Sequence, residues 1–245
     1  MDDLLLLLIA GLAAGVVSGL LGVGGGIVIV PVLHYLLGIP FADATALSLF
    51  VIMVQAPIGL WRHHGKGAVD WRLGAWLTVG GVGGVVLGRW LQPQIEVPWL
   101  KLLFGVVMAF AAYRLILRAK PHDGRRAHPG VIVTLGFVAG IVSRLLGVGG
   151  GILTVPVLAL LGVPAHVAVA SSLVPVWSNA AIASIWSLVE GLDWRMAVPL
   201  AVAAVAGAPL GVMAAHALPE TRLRQVVATT LAAVAVLIIV TSGLW

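Results

Sequence analysis

The sequence predicts an all-α polytopic membrane protein made of two homologous halves. Three observations carry this: a composition too apolar for a water-facing surface, a series of long apolar runs, and a 23-residue motif that occurs twice. Of 245 residues, 61% are hydrophobic and 9% charged, whereas a soluble domain is about one quarter charged. Fourteen Lys and Arg with nine Asp and Glu cannot clothe a globule of this size. The absence of cysteine excludes disulfides, thiol catalysis and thiolate metal sites. The basic residues are scattered at the ends of apolar segments, as in inward-facing loops, so the pI near 10.5 does not point to nucleic acid.

The chain opens Met1-Asp2-Asp3 and runs into leucines without the basic stretch of a secretory signal, so its first segment reads as a retained helix. Crossing about 30 Å of hydrocarbon takes roughly 20 helical residues. Residues 42–60, 73–91, 100–117, 167–188, 197–218 and 223–241 therefore read as ordinary spanning helices, about three in each half. Residues 4–37 and 131–161 are each interrupted by a glycine cluster followed by a proline, and read as broken or hairpin elements. The total is 8–10 membrane segments.

The segment from Gly11 to Leu33 returns from Gly136 to Leu158 with 17 of 23 positions identical, which is a duplication. The echo continues through Pro40 and Pro164, Ser48 and Ser172, Gln55 and Asn179, Asp70-Trp71-Arg72 and Asp193-Trp194-Arg195, and Gly88 and Gly211. The halves are residues 1–118 and 131–245, joined by a polar cytoplasmic linker over 119–130. Five basic residues between Arg114 and Gly130 and three between Arg62 and Arg72 place both regions inside. With an odd number of crossings per half the second half is inverted, which puts ten basic loop residues inside and three outside. A parallel duplication gives about nine and four, so inverted repeats are preferred.

The clusters Leu20 to Gly26 and Leu145 to Gly151 break a helix where no water can satisfy the freed backbone groups. Glycine lets backbone approach a ligand, and the amides opening the following helix suit an anion. Gly24, Gly25, Gly26, Gly149, Gly150 and Gly151 are thus candidate oxyanion-binding residues. Pro31 and Pro156 are positioned to kink or restart the second arm. A dinucleotide fingerprint is rejected because no βαβ unit surrounds the glycines, and a P-loop because no Lys follows them.

The paired Gly-Val-Gly-Gly-Gly…Pro-Val-Leu motifs, each followed by Gly-[Ile/Val]-Pro…Ala…Ala…Ser-Leu, resemble the TauE/SafE sulfite exporter family over essentially the whole chain. The resemblance implies an integral membrane carrier for small sulfur-containing anions such as sulfite, thiosulfate, sulfonates or sulfoacetate, often an exporter.

Polar residues within the apolar runs complete the candidate site. Arg144 lies beside the second cluster, where the first half has Gly19, and a charge there costs several kcal/mol unless paired or hydrated. Ser48, Ser171, Ser172, Gln55 and Asn179 are hydrogen-bonding groups on the elements after the breaks, with Ser18 and Ser143 ahead of them; Gln55 and Asn179 occupy matching positions. Trp177 and Trp186 either line the route or pack, and the other tryptophans read as interfacial anchors. All nine carboxylates map to termini or loop edges, which leaves no acid relay and His34 as the main titratable group near a break. The histidines of Trp61-Arg62-His63-His64-Gly65-Lys66 read as an inward basic loop without metal-site spacing.

The expected function is a multi-pass secondary carrier of the inner (plasma) membrane, using alternating access about the two breaks and neither cofactor nor metal. Its partners are the lipid bilayer and a small anion, and self-association is left open. Moving a charge across 100 mV is worth about 2.3 kcal/mol, so an anion leaving a negative interior runs downhill. An anion channel of the same build is the alternative. An enzyme lacks an acid pair, an activated nucleophile or a metal cluster.

Overall fold

The computed structural model describes residues 2–116 and 128–241. Ten α-helices follow in order: α1 (Asp2–Leu21), α2 (Gly26–Pro31), α3 (Phe41–Gly65), α4 (Trp71–Leu91), α5 (Val97–Ile116), α6 (Pro129–Leu146), α7 (Gly151–Leu160), α8 (Ala165–Glu190), α9 (Trp194–Ala217) and α10 (Glu220–Thr241). Each half repeats one pattern: a long helix, a glycine break, a short helix and three long helices. Of the expected linker, residues 119–127 lie outside the described residues, and α6 begins at Pro129.

Local chemistry sets the boundaries. The repeated Asp-Trp-Arg is a helix start: Asp70 accepts the Leu73 N–H at 3.0 Å and Asp193 the Arg195 N–H at 2.9 Å, capping α4 and α9. Pro40 and Pro164 occupy the N-cap positions of α3 and α8. Pro31, expected to kink or restart the second arm, is the last residue of α2, and the chain continues as a π-helical turn, Val32–Leu36, which accommodates a residue with no N–H to donate. Pro156, by contrast, lies inside a continuous α7.

The six runs read as ordinary spans fall on helices, but among the described residues only α3, α8 and α9 of them are long and apolar enough to cross a membrane by length and composition alone. The other two helices that qualify are α1 and α6, the first arms of the broken elements. In α4 the six glycines Gly74, Gly80, Gly81, Gly83, Gly84 and Gly88 supply no apolar side chain, which lowers its hydropathy below a simple span. Exposed Leu4, Leu5, Ile9, Val79, Val202, Met213 and Val236 give the helices an apolar outer surface suited to lipid.

Small residues set the packing. α1 packs most extensively on α9, and α4 on α6. A Cβ at Gly11 would meet Leu200 and Ala203, at Gly15 Ala204 and Ala208, and at Gly19 Ala208 and Val212, so α1 and α9 run side by side in the same direction. Gly80, Gly84 and Gly88 follow α6 in the same way, past Val133, Phe137 and Ile141. The remaining pairs also exchange equivalents: α3 contacts α9 as α8 contacts α4, while α3 with α8 and α5 with α10 are pairs of equivalent helices. The buried interior is dominated by leucine, isoleucine, valine and alanine.

Candidate functional site at the glycine crossing

Both breaks are real interruptions, and the two glycine loops touch. A Cβ on Gly26 would lie 2.8 Å from Val148 Cα, and one on Gly151 would lie 2.6 Å from Val23 Cα. The turns match residue for residue: Gly22, Gly24 and Gly25 have φ of 67°, 93° and 77°, and Gly147, Gly149 and Gly150 have 71°, 71° and 85°. L side chains rarely adopt these values, which explains the clusters locally. Gly24 and Gly149 both abut Ile52 and Val176, the equivalent residues where α3 and α8 meet.

Side chains hold the loops by their carbonyls, and the arrangement is swapped between halves. Ser48 donates to the Gly147 carbonyl at 2.7 Å, and Ser172 lies 2.8 Å from the Gly22 carbonyl. Each serine closes the other half's loop. Both are fully buried, so alanine at either position leaves a carbonyl without its donor and is expected to cost about 1–3 kcal/mol, read as a similar fall in thermal midpoint for each variant in detergent.

The loop amides stay free. Among the described residues nothing accepts from the backbone N–H groups of residues 23–27 or 148–152. Gln55 Nε2 donates to the Gly24 carbonyl at 2.9 Å, and its Oε1 has no partner. Asn179, one methylene shorter, does not reach the equivalent carbonyl, and both its amide atoms are buried and unpartnered beside Gly150 and Gly81.

Arg144 is 3% exposed, three residues before Gly147, and its Nε has no partner. Its backbone carbonyl is 3.5 Å from Gln92 Nε2. Glu190, the acid whose charge it feels, is paired with Arg89. Arg89 and Gln92 line a cleft of about 280 Å³ with Phe41, Ala42, Pro93 and Leu100.

Ser171 does not join this group; its hydroxyl accepts the backbone N–H of Asp70 at 2.8 Å and fixes the start of α4. Ser18 and Ser143 are buried, and their carbonyls accept the amides of Gly22 and Gly147. Trp177 is exposed, and His34 spends its Nδ1 on the Ile39 carbonyl at 2.8 Å. Sequence reasoning missed His63, which is no loop residue: α3 continues to Gly65, and His63 is buried on the face that carries Ser48, Gln55 and Gly59. That helical spacing was the available signal. Among the described residues no group of three or more His, Cys, Asp or Glu could hold a metal ion.

The family described as sulfite exporter TauE/SafE matches residues 7–241, both halves together. The chain belongs to the TauE/SafE family. Both glycine loops lie within the matched residues. Similar proteins include the probable membrane transporter protein YunE of Bacillus subtilis, 30% identical over 235 residues, 84% of this chain and 86% of that protein. A probable membrane transporter protein of Xylella fastidiosa is 30% identical over 237 residues, 92% of this chain and 90% of its own length. One from Methanocaldococcus jannaschii is 32% identical over 182 residues, 68% of this chain and 66% of its own length.

Proposed function

We propose that this TauE/SafE protein is a secondary carrier of the plasma membrane that exports a small sulfur oxyanion or sulfonate, sulfite foremost, by alternating access. The observation that carries the anionic substrate is Arg144, a buried residue with an unpartnered Nε, while Glu190, the acid whose charge it feels, is paired with Arg89. A cation in that setting needs hydration or a counter-charge, and a passing anion supplies the latter. The free amides of Gly24 to Gly26 and Gly149 to Gly151 add partial positive charge, and Asn179 and Gln55 offer amide groups with unfilled hydrogen-bonding capacity. Ser48 and Ser172 serve by shaping the loops, since their hydroxyl protons are already committed.

The two repeats, residues 1–118 and 131–245, are read as inverted. Antiparallel packing of the equivalent helices α3 and α8, where Gly59 meets Leu173 and Ile52 shares Gly24 with Val176, supports this. The same reading gathers the basic loops on the cytoplasmic side and puts Arg89, Lys101 and Arg195 outside, in keeping with the charge rule. The two halves would rock about the crossing of the glycine loops.

The test is uptake into proteoliposomes of sulfite, sulfate, thiosulfate, alkylsulfonates and simple carboxylates at imposed potentials and pH gradients. Saturable, exchanging flux of a sulfur anion is expected. Selection of cations or neutral solutes would overturn the assignment, and non-saturating current would replace the carrier with a channel.

A further inference from the structure

Three histidines meet at one end of the bundle, away from the glycine crossing. His63 on α3, 1% exposed, places Nε2 3.0 Å from the Gly19 carbonyl oxygen and Nδ1 3.1 Å from Nε2 of His216 on α9. His166 on α8 stacks on His216, with ring centroids 5.8 Å apart and planes inclined by 13°. Both outer rings are half-buried. The Gly19 carbonyl belongs to the last turn of α1, where helical acceptors run out, and the next turn of chain is the glycine loop.

The partners dictate where the protons sit. A carbonyl only accepts, so His63 Nε2 carries hydrogen, and in a neutral pair His216 Nε2–H donates to His63 Nδ1. One further proton keeps that bond. It enters at His216 Nδ1, and the Nε2 proton can then cross to His63 Nδ1, leaving His216 as its Nδ1–H tautomer. A second proton would set N–H against N–H. The pair therefore holds one proton, and the route stops at a carbonyl that cannot take it onward.

The other half is built differently at the equivalent place. Arg144 stands where α1 has Gly19, Ser187 where α3 has His63, Pro93 where α9 has His216 and Ala42 where α8 has His166. One end of the molecule carries a permanent cation and the other a group of titratable rings.

We propose that His63 and His216 form a proton-binding site, one proton per chain, whose occupancy strengthens anion binding at the glycine crossing. This rests on the anion-carrier reading above. The groups around the site are Arg62, His64 and Lys66 at the end of α3 and His166 on α8, and in the sequence Glu220 follows His216 by four residues. α1 contributes only the Gly19 carbonyl, its two aspartates being at its far end. His64 is occupied by Trp71 Nε1–H at 3.2 Å. Among the described residues no carboxylate pairs with the three rings. A positive charge added beside Lys66 raises the local positive potential, and by reciprocity proton and anion each favour the other.

The test is saturable uptake of methanesulfonate, whose charge is constant from pH 5 to pH 8, into proteoliposomes with equal pH on both sides. The half-saturation concentration is expected to fall about tenfold from pH 8 to pH 5 in the unaltered protein. It should be flat in His63→Gln, whose amide can still donate to Gly19, and in His216→Gln at the half-buried position. Variant profiles that follow the unaltered protein, or a flat profile in the unaltered protein, overturn the proposal. Histidine ¹⁵N spectra in nanodiscs supply a readout independent of transport: nitrogen–nitrogen coupling between the rings and uptake of one shared proton are expected, and their absence overturns the site. A pair that takes up its proton while no anion is carried at any pH refutes the carrier reading and leaves the proton site supported.

Discussion

Valine in place of Gly151 is expected to abolish folded protein, and Gly26→Val to do the same. At Gly151 a Cβ would stand 2.6 Å from Val23 Cα, and at Gly26 it would stand 2.8 Å from Val148 Cα and 2.9 Å from Ser48 Oγ. Two of these three neighbours are backbone atoms of the opposite loop, which cannot turn aside as a flexible side chain would. Overpacking a core by added methyl groups typically costs about 1–3 kcal/mol, and a backbone collision at the meeting of both halves should exceed that range. Separation of the loops would also withdraw Ser48 and Ser172 from the carbonyls they serve. Size-exclusion profiles in mild detergent should show aggregate for both valine variants. Gly65→Ala, where a Cβ meets nothing within 4 Å, should elute and melt like the unaltered protein. A monodisperse, normally melting Gly151→Val would show that the loops do not need this contact.

Arg144→Gln should leave the fold intact and weaken anion affinity about 100-fold, equivalent to roughly 2.7 kcal/mol. Removing an uncompensated buried charge relieves a desolvation cost, so the melting temperature should hold or rise. The lost term is the attraction between guanidinium and substrate, and truncating one member of a buried charge pair commonly costs about 2–5 kcal/mol. Arg144→Lys restores the charge but not the planar donor array, and should recover affinity only in part. The measurement is half-saturation for the preferred anion in proteoliposomes, read beside a thermal melt of the same sample. Unchanged half-saturation in Arg144→Gln would remove Arg144 from the binding site.

How much of this was written in the sequence depends on whether the feature is local. The breaks were legible because three adjacent glycines cannot be helical interior in hydrocarbon without a reason, and because they occur twice with the same flanks. Gln55 and Asn179 were legible from the repeat, although the repeat alone could not show that the shorter amide fails to reach a carbonyl. The clasp from Ser48 to Gly147 joins residues 99 apart and that from Ser172 to Gly22 residues 150 apart, and no local pattern reports such pairings. Ser171 was grouped with Ser172 because they are neighbours in sequence, but adjacent residues on a helix point about 100° apart, and only Ser172 faces the loops. His63 was lost among basic residues that look like a loop, since polarity at a helix end masks the continuing helical period.

The exchanged serines also bear on how such a chain could have arisen. Neither half finishes its own loop, so a half-length ancestor could have worked only by docking with a second copy of itself, each lending the other a hydroxyl. Gene fusion would then have frozen a partnership that already existed. The serines that complete the opposite loops are the same in both halves, whereas arginine stands on one side and imidazoles on the other.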